Sequence, residues 1–129
     1  MVNSQSLIGK TWVYGVQDCY TVVRAYYRLM GIDLPEFERP KDLQRTESIF
    51  LDNAPRLGFA EVEFEDRQGS DLLVMRLGTR TPMHGGIYLP GDRILHQRTN
   101  SVSAIEPLRQ YYRQRVAVVY RHATCNAGR

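Results

Sequence analysis

Residues 84–96 read His-Gly-Gly-Ile-Tyr-Leu-Pro-Gly-Asp-Arg-Ile-Leu-His, and no other segment restricts the fold as tightly. Two short apolar runs, residues 87–89 and 94–96, flank Pro90-Gly91-Asp92, a combination that predicts a β-hairpin with its turn at those three residues. Side chains alternate faces along a strand. A three-residue tip therefore sets Gly86 opposite His96 and leaves His84 on the same face as both. A two-residue tip sends the histidines to opposite faces. Three-residue hairpin loops are common, which favours the first register without forcing it. Gly85 and Gly86 are expected to leave open space beside His84 for a substrate chain or a helix end.

Elsewhere the pattern is helical first and extended later. Asp18 is a good N-cap for a helix running to about Met30. On it Cys19, Val22, Val23, Tyr26 and Met30 share one face, and Gly31 stops it. Residues 41–57 read as a second helix ended by Gly58. Residues 59–64, 72–77 and 116–120 carry strand signals, and 107–114 a short helix with Pro107 in its first turn. Residues 1–14 read as an irregular lead-in and 122–129, with Cys125, as a flexible tail. Helices followed by strands without strict alternation argue for an α+β fold with an antiparallel sheet.

The 129 residues fit a single domain, 1–129, large enough to bury roughly two-thirds of its unfolded surface. No apolar stretch approaches the ~20 residues of a membrane span, and the N-terminus lacks the pattern of a signal peptide. The net charge of +3 is spread along the chain with no basic block, which argues against a nucleic-acid arm. Two cysteines are too few for a disulfide framework. No phosphate loop or dinucleotide fingerprint is present, and no cofactor is expected.

The chemistry-bearing residues are Cys19, His84 and His96. A thiol is a strong nucleophile as thiolate, and helix N-termini and imidazoles are the usual means of lowering its pKa. Cys19 would attack, His84 would take and return the proton, and His96 would fix the His84 tautomer. The Cys19 N–H, without an intrahelical acceptor, would bind the developing oxyanion. Two other readings stay open from the residues alone. Cys19 on an apolar helix face can be a small buried hydrophobe. Cys19, His84 and His96 can also make up a zinc set, although no close ligand pair anchors it, so no metal is expected.

The motifs add a resemblance. Asp18-Cys19-Tyr20-Thr21-Val22-Val23 resembles the Asp-Cys-Ser-Gly-Leu-Val motif of NlpC-type cell-wall peptidases, which are papain-like cysteine enzymes. Gly69-Ser70-Asp71-Leu72-Leu73 is similar to their Gly-Asp-Leu-Val strand with one residue inserted, and the residue 84–96 hairpin matches their paired histidines in spacing. Three further blocks resemble the peptidase domains of lambda-like phage tail assembly proteins: residues 15–21, Arg24-Ala25-Tyr26-Tyr27, and Gly31-Ile32-Asp33-Leu34-Pro35.

The resemblance implies a papain-like α+β domain with helices packed on a small antiparallel sheet. It implies Cys19 as nucleophile, His84 as base and His96 as the third member. Tyr14 would fill the place of an upstream site tyrosine, and Asp18, Gly85 and Gly86 would lie along the substrate. The implied activity is hydrolysis of a peptidoglycan stem-peptide amide, typically D-γ-glutamyl-diaminopimelate. The implied setting is a phage tail, with tail-tip proteins as partners and local opening of the cell wall as the task. A non-catalytic tail-tip protein that keeps the same fold is the competing expectation.

Overall fold

The computed structural model describes residues 2–39 and 48–126. Helix α1, Cys19–Leu29, begins where the Asp18 carboxylate accepts the Thr21 N–H at 3.1 Å, satisfying a donor the first turn cannot pair internally. It ends where Gly31, at φ +84°, turns left-handed and the Ile32 N–H returns to the Tyr27 carbonyl at 2.9 Å. Helix α2, Ile49–Asn53, starts at Ser48, whose hydroxyl accepts the Phe50 and Leu51 N–H groups. It is shorter than the helix expected over 41–57. Pro55–Leu57 form a separate 3-10 turn stopped by Gly58 at φ +95°, and residues 40–47 lie outside the described ones.

Six strands follow: β1 Phe59–Val62, β2 Leu72–Met75, β3 His84–Leu89, β4 Arg93–His96, β5 Ala104–Pro107 and β6 Val116–His122. They form one antiparallel sheet in the order β1-β6-β2-β3-β4-β5. The β3–β4 turn has three residues, with Gly91 and Asp92 at positive φ, and Gly86 pairs with His96. The favoured register is thus the observed one.

Strand β5 has no counterpart in the sequence reading, which placed Pro107 in a helix. Pro107 instead ends β5, and helix α3 is only Gln110–Arg113. The C-terminal reading also changes. His122 completes β6, Ala123–Asn126 form helix α4, and Cys125 is buried rather than lying in a flexible tail.

Alternation along the strands divides the interior. Leu72, Val74, Ile87, Leu89 and Leu95 pack with α1 through Val22, Val23, Tyr26 and Tyr27, joined by Phe50 and Phe59. Leu73, Met75, Ile94, Leu108, Tyr112 and Val119 form a smaller core on the other face. The lead-in is pinned to the segment before β5. Ser103 Oγ donates to the Leu7 carbonyl at 2.7 Å, and Gln97 Nε2 donates to the Lys10 carbonyl at 2.8 Å.

Candidate active site

A cleft of about 290 Å³ opens where the N-terminus of α1 meets the start of β3. Cys19 and His84 both line it, with Tyr14 and Asp18, and so do Trp12, Arg39, Arg98 and Tyr111. Residues more than sixty positions apart are brought together because α1 lies across β3 and β4. The Cys19 thiol donates to the Met83 carbonyl at 3.6 Å, one residue before His84.

Behind the cleft the polar groups continue inward. His84 Nε2 and His96 Nδ1 are 2.8 Å apart, and His96 Nε2 lies 2.7 Å from Glu106 Oε2. His96 is only 1% exposed, so neither ring nitrogen has water as an alternative partner. With both nitrogens committed, His96 is not disposed as a metal ligand. Among the described residues no group of histidine, cysteine or carboxylate side chains is arranged to hold a metal ion.

Burial dominates the electrostatics. It pushes the Cys19 thiol up to about 11, with Asp18 adding to the rise, while the Gly85 and Tyr20 N–H groups and the Arg39 charge oppose it. Burial also holds His84 well below 6.5, helped by His96 and Arg98. The pair therefore rests as thiol and neutral imidazole at neutral pH, not as the thiolate expected from a helix N-terminus and a nearby ring. His96 is lowered by burial against the raising effect of Glu106. Burial raises the Glu106 carboxyl, but the hydrogen bond from His96 and the Arg98 charge outweigh it, so Glu106 stays ionised.

Asp18 does more than cap α1. Its carboxylate also accepts the Gly15 N–H at 2.9 Å and forms a two-pronged ion pair with Arg39, at 2.8 and 3.0 Å. Both side chains are nearly fully buried. Burial raises the Asp18 pKa, but the Arg39 and Gly15 hydrogen bonds outweigh it and the net shift is downward. Tyr14 stands at the rim, stacked with Trp12 at 6.1 Å between ring centres, and burial raises its phenol.

Gly85 and Gly86 do not border open space. A Cβ on Gly85 would lie 2.4 Å from the Phe50 ring, and one on Gly86 would lie 2.6 Å from Ile94 and 3.0 Å from the His96 Cβ. They let neighbouring side chains reach the strand backbone: of the two occupants expected beside His84, a substrate chain or a helix end, Gly85 receives the second, in Phe50 at the start of α2. Sequence reasoning missed Arg39 and Glu106. Glu106 had one available signal: once residues 104–107 are paired with β4, Glu106 falls opposite Ile94, on the face that carries His96.

The six-stranded antiparallel sheet with α1 packed on it is a papain-like α+β fold, and the NlpC/P60 family profile matches residues 9–121. The chain belongs to the NlpC/P60 family. It is 32% identical over 123 residues to tail tip assembly protein K of Escherichia phage lambda, an alignment covering 95% of this chain and 62% of that protein. The chain thus spans less than two-thirds of that relative's length. Solved structures agree on the fold. An NLP/P60 family lipoprotein-like protein from Staphylococcus aureus Mu50 aligns with a TM-score of 0.65 at 21% identity, covering 92% of this chain and 38% of its own. An NlpC/P60 family protein from Bacillus cereus gives 0.63 at 19%, covering 92% and 37%.

Proposed function

We propose that this chain is a phage tail-associated cysteine endopeptidase. It hydrolyses an amide of the peptidoglycan stem peptide, the D-γ-glutamyl-diaminopimelate bond by family resemblance. Its tasks are local opening of the cell wall during DNA entry, tail assembly, or both. One observation carries the reading: Cys19 at the head of α1 shares a cleft with His84, whose ring is held from behind by His96. Similarity to a tail tip assembly protein supports the tail setting and tail-tip partners.

The chemistry follows from the resting neutral pair. As Cys19 Sγ bonds to the carbonyl carbon, its proton passes to His84. The new oxyanion is met by the Cys19 N–H in the first helical turn. The proton then goes to the departing amine as the C–N bond breaks, leaving a thioester. Water activated by His84 cleaves the thioester and restores the thiol. Exposed Arg98 and the aromatic rim of Trp12, Tyr14 and Tyr111 suit an extended anionic peptide.

The test is hydrolysis of purified murein peptides. Wild-type protein should cleave them, and Cys19→Ala should lose about 10⁴-fold or more in kcat/KM while remaining folded. Equal turnover by the variant refutes the nucleophile. A wild-type protein inert on murein, together with normal tail assembly by Cys19→Ala, would instead establish a structural tail protein that keeps the peptidase fold.

A further inference from the structure

A third group continues the two-histidine chain, on a strand that no motif marks. Glu106 stands on β5 with its Oε2 2.7 Å from His96 Nε2. A carboxylate offers acceptors only, so the hydrogen in that contact belongs to His96. His96 is neutral and has a single ring hydrogen, so its Nδ1 is an acceptor. The 2.8 Å contact to His84 can then be made only if His84 Nε2 carries the hydrogen. A neutral His84 with its hydrogen on Nε2 leaves Nδ1 as its basic atom. We infer that Glu106 is a positioning residue of this site: through His96 it dictates the tautomer of His84 and so selects the atom that receives the Cys19 proton. The inference rests on the cysteine-peptidase reading and names the group that orients its base.

The surroundings of Glu106 show that its placement is built. The Tyr112 hydroxyl lies 3.2 Å from both carboxylate oxygens and donates to them. Arg109 bonds to Oε1 at 3.1 Å, and Arg98 lies 3.6 Å from Oε2. The Tyr112 ring also packs edge-on against His96, with ring centres 5.0 Å apart. The charged and titratable groups facing His96 are thus His84 on β3, Glu106 on β5, Arg98 after β4, and Arg109 and Tyr112 at α3. Among these Glu106 alone is an anion, and two arginines oppose it. Deleting its charge leaves the imidazoles facing net positive surroundings, which makes His84 a weaker base. Tyr112 and the arginines limit rotation of the carboxylate, so the ring it holds is fixed as well.

The experiment reads tautomers and thiol reactivity together. Histidine ring nitrogens are assigned by ¹⁵N NMR in wild type, Glu106→Ala and Glu106→Gln, and Cys19 alkylation by iodoacetamide is followed from pH 4 to 9. In wild type both His84 and His96 should carry their hydrogens on Nε2. In Glu106→Ala that assignment should become mixed, alkylation should slow about tenfold, and peptide kcat should fall about 10²-fold with KM little changed. Glu106→Gln retains an acceptor and should recover most of the rate. Having lost the charge, it should still shift the acid limb of alkylation to lower pH, which a purely structural residue would not do. Unchanged tautomers and an unmoved acid limb in both variants overturn the inference. NMR and alkylation need no substrate, so they decide it even if murein is not cleaved, and failure on murein counts only against the proposed activity.

Discussion

Under α1 the sheet presents Leu72, Val74, Ile87, Leu89 and Leu95 to valines and tyrosines, with the Phe50 ring pressed onto Gly85. Its opposite face carries a smaller apolar core and, by strand alternation, two buried polar systems: Asp71 with Arg121, and His84 with His96 and Glu106. The first face is held by contact area and shape, and it tolerates changes that conserve volume. The second is held by donors and acceptors that must all be matched, because an unpaired buried group costs far more than a small void. The helix face sets where the thiol stands, and the polar face sets how the rings are oriented.

The strongest test of that division is Asp71→Ala. The carboxylate receives Arg121 at 2.9 and 2.8 Å and is 1% exposed. Removing it strands a buried guanidinium and should lower stability by about 3–5 kcal/mol, measured by urea denaturation. Activity per folded molecule should hold, because the pair lies away from the cleft. A loss under 1 kcal/mol would show that the polar face is less demanding than argued.

On the apolar face, Gly85→Ala forces a methyl group toward the Phe50 ring, 2.4 Å from where its Cβ would sit. A cost of about 1–3 kcal/mol is expected. The double variant with Phe50→Leu should recover part of it, since the clash is one of volume. No recovery would point to the backbone rather than the ring.

The smallest effect at neutral pH is a slope. His84 and His96 titrate below 6.5 in the folded protein, so the unfolded chain binds protons first as pH falls. Stability should therefore begin to drop below about pH 6.5, no faster than about 1.4 kcal/mol per pH unit for each histidine. Asp18 is shifted in the same direction but in a lower window: its folded pKa lies below 3.8, so its contribution is present above that value and lost only as pH falls further. His84→Asn should flatten the upper window and leave the lower one. A single loss confined below pH 4 would contradict the buried neutral imidazoles.

Local chemistry was legible in the sequence. Asp18 announces a helix start because a short carboxylate can reach the first-turn N–H groups. Pro90-Gly91-Asp92 announces a turn because it supplies a fixed φ and residues that accept positive φ. That His84 and His96 share a face followed from the parity of a three-residue tip, a property of thirteen consecutive residues. What escaped depends on distant partners. Arg39 is defined by Asp18, twenty-one positions away. β5 is short, mixed in composition and ends in proline, and it is a strand because β4 offers it an edge. Glu106 was hidden with it. The glycines were read as space because sequence does not reveal which side chain will fill the gap they leave.

Among the described residues β5 is hydrogen-bonded on one flank only, so the acid that orients the rings is carried by the outermost ribbon of the sheet. Outer ribbons fray before inner ones. Under the proposed mechanism competence and foldedness are therefore separable: a molecule can keep its interior while its imidazoles lose their aim.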